Sequence, residues 1–450
     1  SAVQASGASS LDASSAMTES GTPPAKIGLG ALVAATYFMV AGGPYGLEEL
    51  VQKTGFGVAI GVLVVTPLLW SLPTSLMVGE LAAAIPSEGG YYVWVKRALG
   101  PFWGFQEAWL SLAAAVFDMG IYPALFAAYL GRLVPVFQEP RWEFAVRAAV
   151  LAGTLAWNLR GARSVGRGAT FFAWLLMAPF AVFVALAVAG RGGAHAVAAP
   201  PARDYLGGVL VAMWNTMGWD NASTIAGEVQ RPQRTYPLAM LVTVALVVVT
   251  YVVPVAGAWI AHVDLATFST GGWADAAGRV GGRTLETAVV LGGMLSAVGM
   301  LGALVLSYSR IPQALAEDRF LPAIVARTNG RGVPSYAVAL SGVLFSLSLA
   351  LNFEHLVLLD ILLYGAALVL EFVALVVLRV SEPGLVRPFR VPFGVLGCVL
   401  LGVGPALLLV LSFVRNFDEE VLGVRSLWLA LGVVAVGPAA HRALRPRAAS

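Results

Sequence analysis

Met39-Val-Ala-Gly-Gly-Pro-Tyr-Gly-Leu-Glu48 interrupts a long apolar stretch near the start of the chain. Its three glycines weaken a helix interior, and Pro44 removes a backbone donor and clashes with the preceding turn. Backbone groups that lose their helical partners at membrane depth are tolerated only where they line a cavity. The stretch therefore predicts a membrane helix that is broken beside a binding site.

A second interruption of the same kind follows later in the chain. Trp214-Asn-Thr-Met-Gly-Trp-Asp-Asn-Ala-Ser-Thr224 is polar and contains glycine, whereas the flanking residues are mainly valine, leucine and alanine. Each interruption falls in the first helix of a possible five-helix unit. Two discontinuous helices at corresponding positions are typical of transporters with inverted repeats and a binding site near the bilayer midplane.

The composition supports a membrane protein. The 450 residues are 58% hydrophobic and only 12% charged, with a mean hydropathy of +0.80, whereas soluble domains carry about 25% charged residues. Apolar segments of about 18 residues or more, long enough to cross a bilayer, recur along the chain. These properties exclude an ordinary soluble enzyme and a disordered chain. An outer-membrane barrel is excluded because its short strands would alternate in polarity.

Apolar windows between charged or Gly/Pro-containing segments predict an all-α polytopic membrane protein with 12 transmembrane helices. Most of the 28 Lys and Arg residues fall on the side that holds the N-terminus. We therefore expect both termini in the cytoplasm and the protein in the plasma (inner) membrane. The predicted spans are residues 27–52, 56–84, 101–131, 142–159, 167–189, 204–228, 236–261, 284–312, 333–352, 355–379, 394–415 and 423–441.

The chain divides into four predicted segments. Residues 1–26 are expected to form a flexible N-terminal tail without a cleaved signal peptide. Met17 resembles a native start, so residues 1–16 are interpreted as an addition before it, a natural tail being the alternative. Residues 27–200 and 201–380 are predicted to hold two five-helix repeats. Residues 381–450 are predicted to hold the last two helices and a cytoplasmic C-terminus.

Six motifs resemble, in order along the chain, those of the amino acid–polyamine–organocation (APC) superfamily. Residues 42–49, Gly-Gly-Pro-Tyr-Gly-Leu-Glu-Glu, resemble the first-helix motif of its polyamine-uptake and L-type amino acid permease branch. The resemblance implies a LeuT-type fold, with two inverted five-helix repeats, broken helices 1 and 6, and two further helices. It also implies transport of small amines or amino acids by alternating access. The other motifs are residues 79–94, 101–107, 219–237, 309–334 and 387–392.

Carboxylates inside membrane spans are costly and therefore mark candidate functional positions. Glu48, Asp118 and Asp220 are candidate ligands for the ammonium groups of a polyamine. Aromatic side chains can contact both the ammonium groups and the methylene chain, although packing is the alternative role for each of them. The candidate aromatic residues are Tyr37, Tyr122, Trp214, Trp219 and Tyr364.

Three further glutamates are candidate gating or coupling residues. Glu80 and Glu228 lie beside Arg-rich loops, where structural ion pairs are the alternative interpretation. Glu107 and Asp118 are 11 residues apart on the third predicted helix, so they point the same way about 16 Å apart. They form either a stepped path for a cation or two separate helix–helix hydrogen bonds. Glu371 lies in the tenth span, where it could pair within the helix bundle.

Two classes of substrate are compatible with these residues. In amino-acid members of the superfamily, free amides of the first break hold the substrate carboxylate. The backbone of Ala41, Gly42 and Gly43 can do the same here, but Pro44 lacks an amide. A polyamine or cationic amino acid needs the carboxylates instead, and a neutral or broad-specificity amino acid permease is the alternative.

The sequence also bears on coupling and on other classes of function. Residues 174–179 contain no lysine and residues 297–305 no hydroxyl pair, which disfavours a sodium site and leaves protons or exchange. No G-x-S-x-G motif or His/Asp cluster indicates an enzyme, and no cofactor, metal or nucleic acid is expected. A channel would not require two matched broken helices. The expected partners are the small-molecule substrate, the lipid bilayer and protons.

Overall fold

The computed structural model describes residues 26–191, 203–421 and 423–445, and within them the chain is almost entirely helical. The predicted tail lies outside the described residues, except for Lys26. A short antiparallel hairpin pairs β1 (Glu420–Val421) with β2 (Val424–Arg425). The helices are α1 (Leu29–Val40), α2 (Glu48–Thr54), α3 (Phe56–Leu69), α4 (Ser71–Ala84), α5 (Gly90–Leu99), α6 (Pro101–Leu133), α7 (Pro140–Asn158), α8 (Ala162–Val188), α9 (Tyr205–Trp214), α10 (Pro232–Ile260), α11 (Gly272–Tyr308), α12 (Arg310–Glu317), α13 (Ser335–Ser346), α14 (Phe353–Ser381), α15 (Gly394–Arg415) and α16 (Ser426–Leu444).

Eight segments of the described chain are long and apolar enough to cross a bilayer. The predicted spans 27–52, 204–228 and 333–352 fall on the shorter apolar helices α1, α9 and α13, and span 142–159 falls on α7. The chain is therefore an all-helical protein with eight candidate membrane spans, and the count of 12 stays a prediction. The eight are Phe56–Ala84, Pro101–Leu133, Ala162–Val188, Pro232–Ile260, Gly272–Glu317, His355–Ser381, Gly394–Arg415 and Ser426–Leu444.

The centre of the bundle is formed by α6 with α11 and α14 packed against it. In α6, 72% of the most apolar window is buried inside the protein, compared with 11% in α16. Small residues allow this close packing, as they do between membrane helices generally. At Gly293 on α11, for example, an added methyl group would lie 2.8 Å from the ring of Tyr129 on α6. Helix α16 is apolar although little of it is buried inside the protein, as expected of a helix that faces lipid.

The first interruption occupies residues 41–47, between α1 and α2. Gly43 and Gly46 have φ angles of +79° and +89°, in a region that residues with side chains rarely adopt. The indole of Trp273 on α11 donates a hydrogen bond of 2.8 Å to the carbonyl of Pro44. The backbone freed by the break is thus partly satisfied by a neighbouring helix.

The second interruption begins where α9 ends at Trp214. Gly218 has a φ of +91°, and two 3₁₀ turns, Asp220–Thr224 and Ala226–Glu228, lead to α10. A methyl group at Gly218 would lie 2.5 Å from the carbonyl oxygen of Met39 on α1. The two interruptions therefore meet at the centre of the bundle, and this close approach requires glycine.

Candidate functional site

The two interruptions face a central cavity of about 30 Å³. Its wall is built by α1, α6, α9, α11, α14 and the two non-helical segments. Among the described residues no lysine, arginine or histidine lines this cavity. Its polar side chains are two aspartates, five tyrosines, an asparagine and a serine: Asp118, Asp360, Tyr45, Tyr122, Tyr129, Tyr308, Tyr364, Asn215 and Ser296.

Asp118 lies on the α6 side of the cavity and is 6% exposed. The hydroxyl of Tyr122, one helical turn later, donates a hydrogen bond of 2.7 Å to its Oδ1. Tyr308 on α11 donates a longer one, 3.4 Å, to Oδ2. Both partners are neutral donors, so the negative charge of this carboxylate is not matched by a protein cation.

Asp360 is a second carboxylate on the cavity wall, and the sequence reasoning missed it. It is 3% exposed and lies on α14, one turn before Tyr364. The spacing is the same as that between Asp118 and Tyr122. An aspartate inside an apolar span, followed by a tyrosine four residues later, is the signal that could have identified it.

Asp220 lies behind the cavity wall and contacts it through Tyr364. The Tyr364 hydroxyl donates a short hydrogen bond to Asp220 Oδ1 and accepts one of 3.1 Å from the Gly218 amide. Trp219 also lies behind the wall, where its indole donates to the carbonyl of Thr216 at 2.9 Å. The turn at Gly218 thus directs these two side chains away from the cavity.

The predicted site residues divide into two groups. Gly42 lines the cavity, and its carbonyl accepts a hydrogen bond from Ser296. Tyr37 points elsewhere and donates to Thr250 at 3.0 Å. The predicted residues on the wall are Gly42, Asp118, Tyr122, Trp214 and Tyr364; those outside its lining are Tyr37, Ala41, Gly43, Glu48, Trp219 and Asp220.

Glu48 begins α2 and is fully buried. Its carboxylate accepts hydrogen bonds from the Gly46 amide at 2.7 Å, the Gly271 amide at 3.1 Å and the Tyr129 hydroxyl at 3.2 Å. Three donors therefore satisfy it, and it occupies one amide of the first interruption, that of Gly46, which a substrate carboxylate would otherwise use.

A larger cavity of about 280 Å³ lies on the other side of Trp214, which lines both cavities. Among the described residues its wall carries four acidic side chains but only two permanent cations, Lys53 and Arg415, together with the histidine His355. The Gly207 amide and then the Arg415 guanidinium hold the pKa of Asp204 below its usual range. We call this larger cavity the vestibule. Its acidic residues are Glu49, Asp204, Glu419 and Glu420.

At the opposite end of the bundle, α5, α12 and residues 382–391 lie together; we call this the α5 end. Glu80 accepts two hydrogen bonds of 2.5 Å from Arg379 and one of 2.7 Å from the Val391 amide. Arg387 lies 3.3 Å from the same carboxylate. Glu80 is thus paired with two guanidinium groups and a backbone amide.

Further ion pairs join other elements at the α5 end. Glu228 accepts hydrogen bonds of 2.6 and 3.1 Å from Arg310. Asp318 pairs with Lys96 at 2.5 Å and also accepts a hydrogen bond from Tyr92. Contacts between α5, α12 and the second interruption therefore close the bundle at this end.

Comparisons with known proteins agree with this architecture. The amino acid permease family matches residues 33–436. The polyamine transporter PUT1 of Oryza sativa subsp. japonica is 36% identical over 424 residues, which cover 92% of this chain and 77% of that protein. The polyamine transporter RMV1 of Arabidopsis thaliana is 32% identical over 415 residues, covering 89% and 83% respectively. The chain therefore belongs to the amino acid permease family and is a multi-pass membrane transporter.

Proposed function

We propose that this protein is a polyamine transporter that moves its cationic substrate across the plasma membrane by alternating access. The observation that carries the proposal is the charge of the central cavity, where Asp118 and Asp360 are present and no basic side chain of the described residues lines the wall. A buried carboxylate without a cationic partner is costly in its ionised form, and a cation that meets it offsets this cost. The similarity to plant proteins named polyamine transporters supports the same substrate class.

A zwitterionic amino acid fits this cavity less well. Its carboxylate would approach two protein carboxylates, and two positions of the first interruption, Pro44 and Gly46, have no free amide to hold it. Pro44 has no amide, and the Gly46 amide already donates to Glu48. The methylene chain of a polyamine, in contrast, can lie against the aromatic wall formed by Trp214 and the tyrosines, with its ammonium groups at the two aspartates.

The proposed roles of the remaining residues follow from their contacts. Tyr122 and Tyr364 orient carboxylates and contact substrate. Asp220 is a positioning residue that acts through Tyr364. The residues of the first interruption, from Ala41 to Gly43, shape the wall and present the Gly42 carbonyl. The remaining candidates, Tyr37, Glu48 and Trp219, act by holding the two interruptions in place.

The cavity must widen for transport to occur. A volume of about 30 Å³ holds about two water molecules, far less than a polyamine needs. Met39, Met217 and Met300 line it, and their flexible side chains can move aside. Substrate then enters from the vestibule past Trp214, while the ion pairs of Glu80 and Glu228 hold the α5 end closed. In the next step these ion pairs break and the α5 end opens.

We further propose the LeuT-type architecture for this movement, with 12 spans and repeats at residues 27–200 and 201–380. The meeting of two interruptions at the centre supports it. The basic residues Lys96, Arg97, Arg379 and Arg387 at the α5 end support a cytoplasmic location for that end and for both termini. Transport is driven by protons or by exchange, without sodium.

Binding measurements on purified protein test the substrate. We expect wild type to bind spermidine and putrescine and to ignore alanine in isothermal titration calorimetry. Asp118→Asn and Asp360→Asn keep the side-chain shape but remove the charge, so each weakens spermidine binding by about 2–5 kcal/mol, more than tenfold.

The matched control is Asp275→Asn, which removes a carboxylate from a partly exposed ion pair with Arg132. We expect it to bind spermidine like wild type. Wild type that binds alanine and not diamines would contradict the proposal and favour an amino acid permease. Unchanged spermidine binding by both cavity variants would place the ammonium site elsewhere.

A further inference from the structure

In addition to the two aspartates of the central cavity, a pair of glutamates lies between that cavity and the α5 end. The helices α6 and α14 are antiparallel, since the start of α6 follows α5 and the end of α14 is tied to α5 by the Arg97–Glu382 ion pair. On each helix the cavity aspartate has a glutamate 11 residues nearer the α5 end, Glu107 on α6 and Glu371 on α14. Eleven residues are about 16 Å and close to three full turns, so aspartate and glutamate share a face.

Both glutamates are buried and lack charged partners. Glu107 is 0% exposed and Glu371 is 1% exposed. Neither oxygen of Glu371 has a hydrogen-bond partner, and neither does Oε2 of Glu107. The single contact is a hydrogen bond of 3.0 Å from Ser111 to Glu107 Oε1. Buried polar atoms nearly always have a hydrogen-bond partner. Three buried oxygens without one in a single region therefore indicate that a ligand binds there.

The groups around the pair are acids and tyrosines. Glu371 lies within electrostatic range of Glu107 on α6 and of Asp220 in the second interruption. Tyr91 on α5 lies within electrostatic range of both glutamates and Asp220, and Tyr364 on α14 within that of Glu371. No lysine, arginine or histidine within the described ranges forms an ion pair or hydrogen bond with either glutamate. Two uncompensated anions in such a region are unstable, so each glutamate must be neutral or meet a cation.

The occupant in this closed state is small. Neither glutamate is among the residues that line the central cavity, so an amine held in that cavity would not contact them. A proton needs no cavity, whereas an ammonium group does. The helices α5, α6 and α14 pack together at this level, so separation of the α5 end would bring water to the pair.

We propose that Glu107 and Glu371 form the proton-binding site through which polyamine movement is coupled to the proton gradient. Each glutamate carboxyl group holds one proton while the α5 end is closed. When that end opens, water solvates the carboxylates and the protons leave to the cytoplasm. The hydrogen bond from Tyr364 to Asp220 provides the first step for a proton that moves from the cavity towards the pair. The step from Asp220 to Glu371, which share no hydrogen bond in this state, requires movement of the bundle. This proposal rests on the proposed polyamine transport and adds its coupling site.

The test uses the full chain in proteoliposomes loaded with or without spermidine. Uptake of labelled spermidine is measured with equal pH on both sides and with the outside one pH unit more acidic. In wild type the gradient increases accumulation by up to about tenfold if one proton moves per substrate, and by up to about a hundredfold if each glutamate contributes one. We expect Glu371→Gln and Glu107→Gln to lose this increase but to keep spermidine counterflow at equal pH, because exchange does not need release of the proton.

The matched control is Glu139→Gln, which removes an exposed carboxylate that pairs only with its neighbour Arg141; we expect it to keep both activities. Glutamine variants that retain the wild-type response to the gradient would overturn the proposal. A pH-sensitive dye inside the vesicles gives a readout that does not depend on any variant. Wild type should acidify the lumen when spermidine is added outside, and absence of acidification would also overturn it.

These outcomes separate the two proposals. If wild type exchanges spermidine but does not respond to the gradient, the proposed polyamine transport stands and the proposed proton site is wrong. If wild type neither binds nor exchanges spermidine, the proposed polyamine transport itself is wrong.

Discussion

Tyr364 donates its hydroxyl hydrogen to the carboxylate of Asp220, 144 residues away in the sequence. The same oxygen accepts the Gly218 amide at 3.1 Å, so one side chain of α14 satisfies two groups that the second interruption leaves without helical partners. Because both groups are buried, neither can turn to bulk water instead. This contact fixes the irregular backbone of the second interruption to the central bundle.

Replacing Tyr364 by phenylalanine should destabilise the protein. The ring can stay in place, but the Gly218 amide loses its acceptor and Asp220 loses its donor, which costs about 1–3 kcal/mol for an unsatisfied buried group. We expect a lower thermal midpoint in detergent and weaker spermidine binding. The control is Tyr336→Phe, because Tyr336 is 49% exposed on α13; equal midpoints for the two variants would refute the role of Tyr364.

Gly218→Ala tests the close approach of the two interruptions. The added methyl group would lie 2.5 Å from the carbonyl oxygen of Met39, and the φ of +91° is unfavourable for alanine in any case. Gly100 has almost the same φ, +93°, but nothing within 4 Å of an added methyl group. Gly100→Ala therefore measures the backbone strain alone.

We expect Gly218→Ala to abolish spermidine binding and to lower the thermal midpoint clearly more than Gly100→Ala, which should cost about 1–3 kcal/mol because Gly100 also has a backbone conformation that favours glycine. Calorimetry and thermal unfolding in the same detergent provide the comparison. Similar effects of the two substitutions would mean that α1 can move away from Gly218 without consequence.

Much of the architecture could be predicted from local sequence patterns. The breaks at residues 41–47 and after Trp214 follow from glycine and proline in apolar segments, since these residues have strong local backbone preferences. Asp118 and Tyr122 also lie on one wall as their spacing requires, because an unbroken helix fixes which residues share a face.

The site beyond regular helices could not be predicted in this way. Trp219 and Asp220 follow Gly218, whose positive φ turns the chain so that helical spacing no longer gives their direction. Glu48 begins a new helix whose rotation relative to α1 depends on the non-helical residues between them. Asp360 is different: its helix is regular and its pattern matches that of Asp118, so it was within reach of the same reasoning.

Arg379→Met should show how strongly the α5 end is held together. Arg379 is 10% exposed and forms two hydrogen bonds of 2.5 Å with Glu80, which is fully buried. Removal of one partner from a buried ion pair typically costs about 3–5 kcal/mol, since the other charge is left uncompensated. Because Arg387 lies 3.3 Å from the same carboxylate, we expect the lower part of that range in thermal or denaturant unfolding.

A geometrically similar pair at the surface provides the control. Arg97 also forms two hydrogen bonds with Glu382, but the two side chains are 41% and 31% exposed. The Arg97 guanidinium holds the pKa of Glu382 below its usual range, yet solvent screens the pair and Arg97→Met should cost less than about 1 kcal/mol. If the two substitutions proved equally mild, Glu80 would not need Arg379 to remain buried.

Asp204, at the mouth of the vestibule, should make stability depend on pH in a defined direction. It precedes α9, and its Oδ1 accepts a hydrogen bond of 2.8 Å from the Gly207 amide. This bond and Arg415 lower its pKa in the folded protein. The ionised form therefore stabilises the fold above the ordinary aspartate pKa of about 3.9, and the stabilisation is lost as the pH falls through the lowered folded value.

Asp204→Asn keeps an oxygen that can accept the Gly207 amide but removes the charge, whereas Asp204→Ala removes both. At neutral pH we expect the wild type to be more stable than the asparagine variant by about 0.3–1 kcal/mol, which is seen as a higher thermal midpoint. In acid the two midpoints should converge. The alanine variant should remain less stable than the asparagine variant at every pH, by about 1 kcal/mol, because a cap is lost in addition to the charge.

Asp418→Asn, at a side chain that is 84% exposed, should show a much smaller pH-dependent difference. A constant gap between wild type and Asp204→Asn down to strongly acid pH would show that the charge of Asp204 does not stabilise the start of α9.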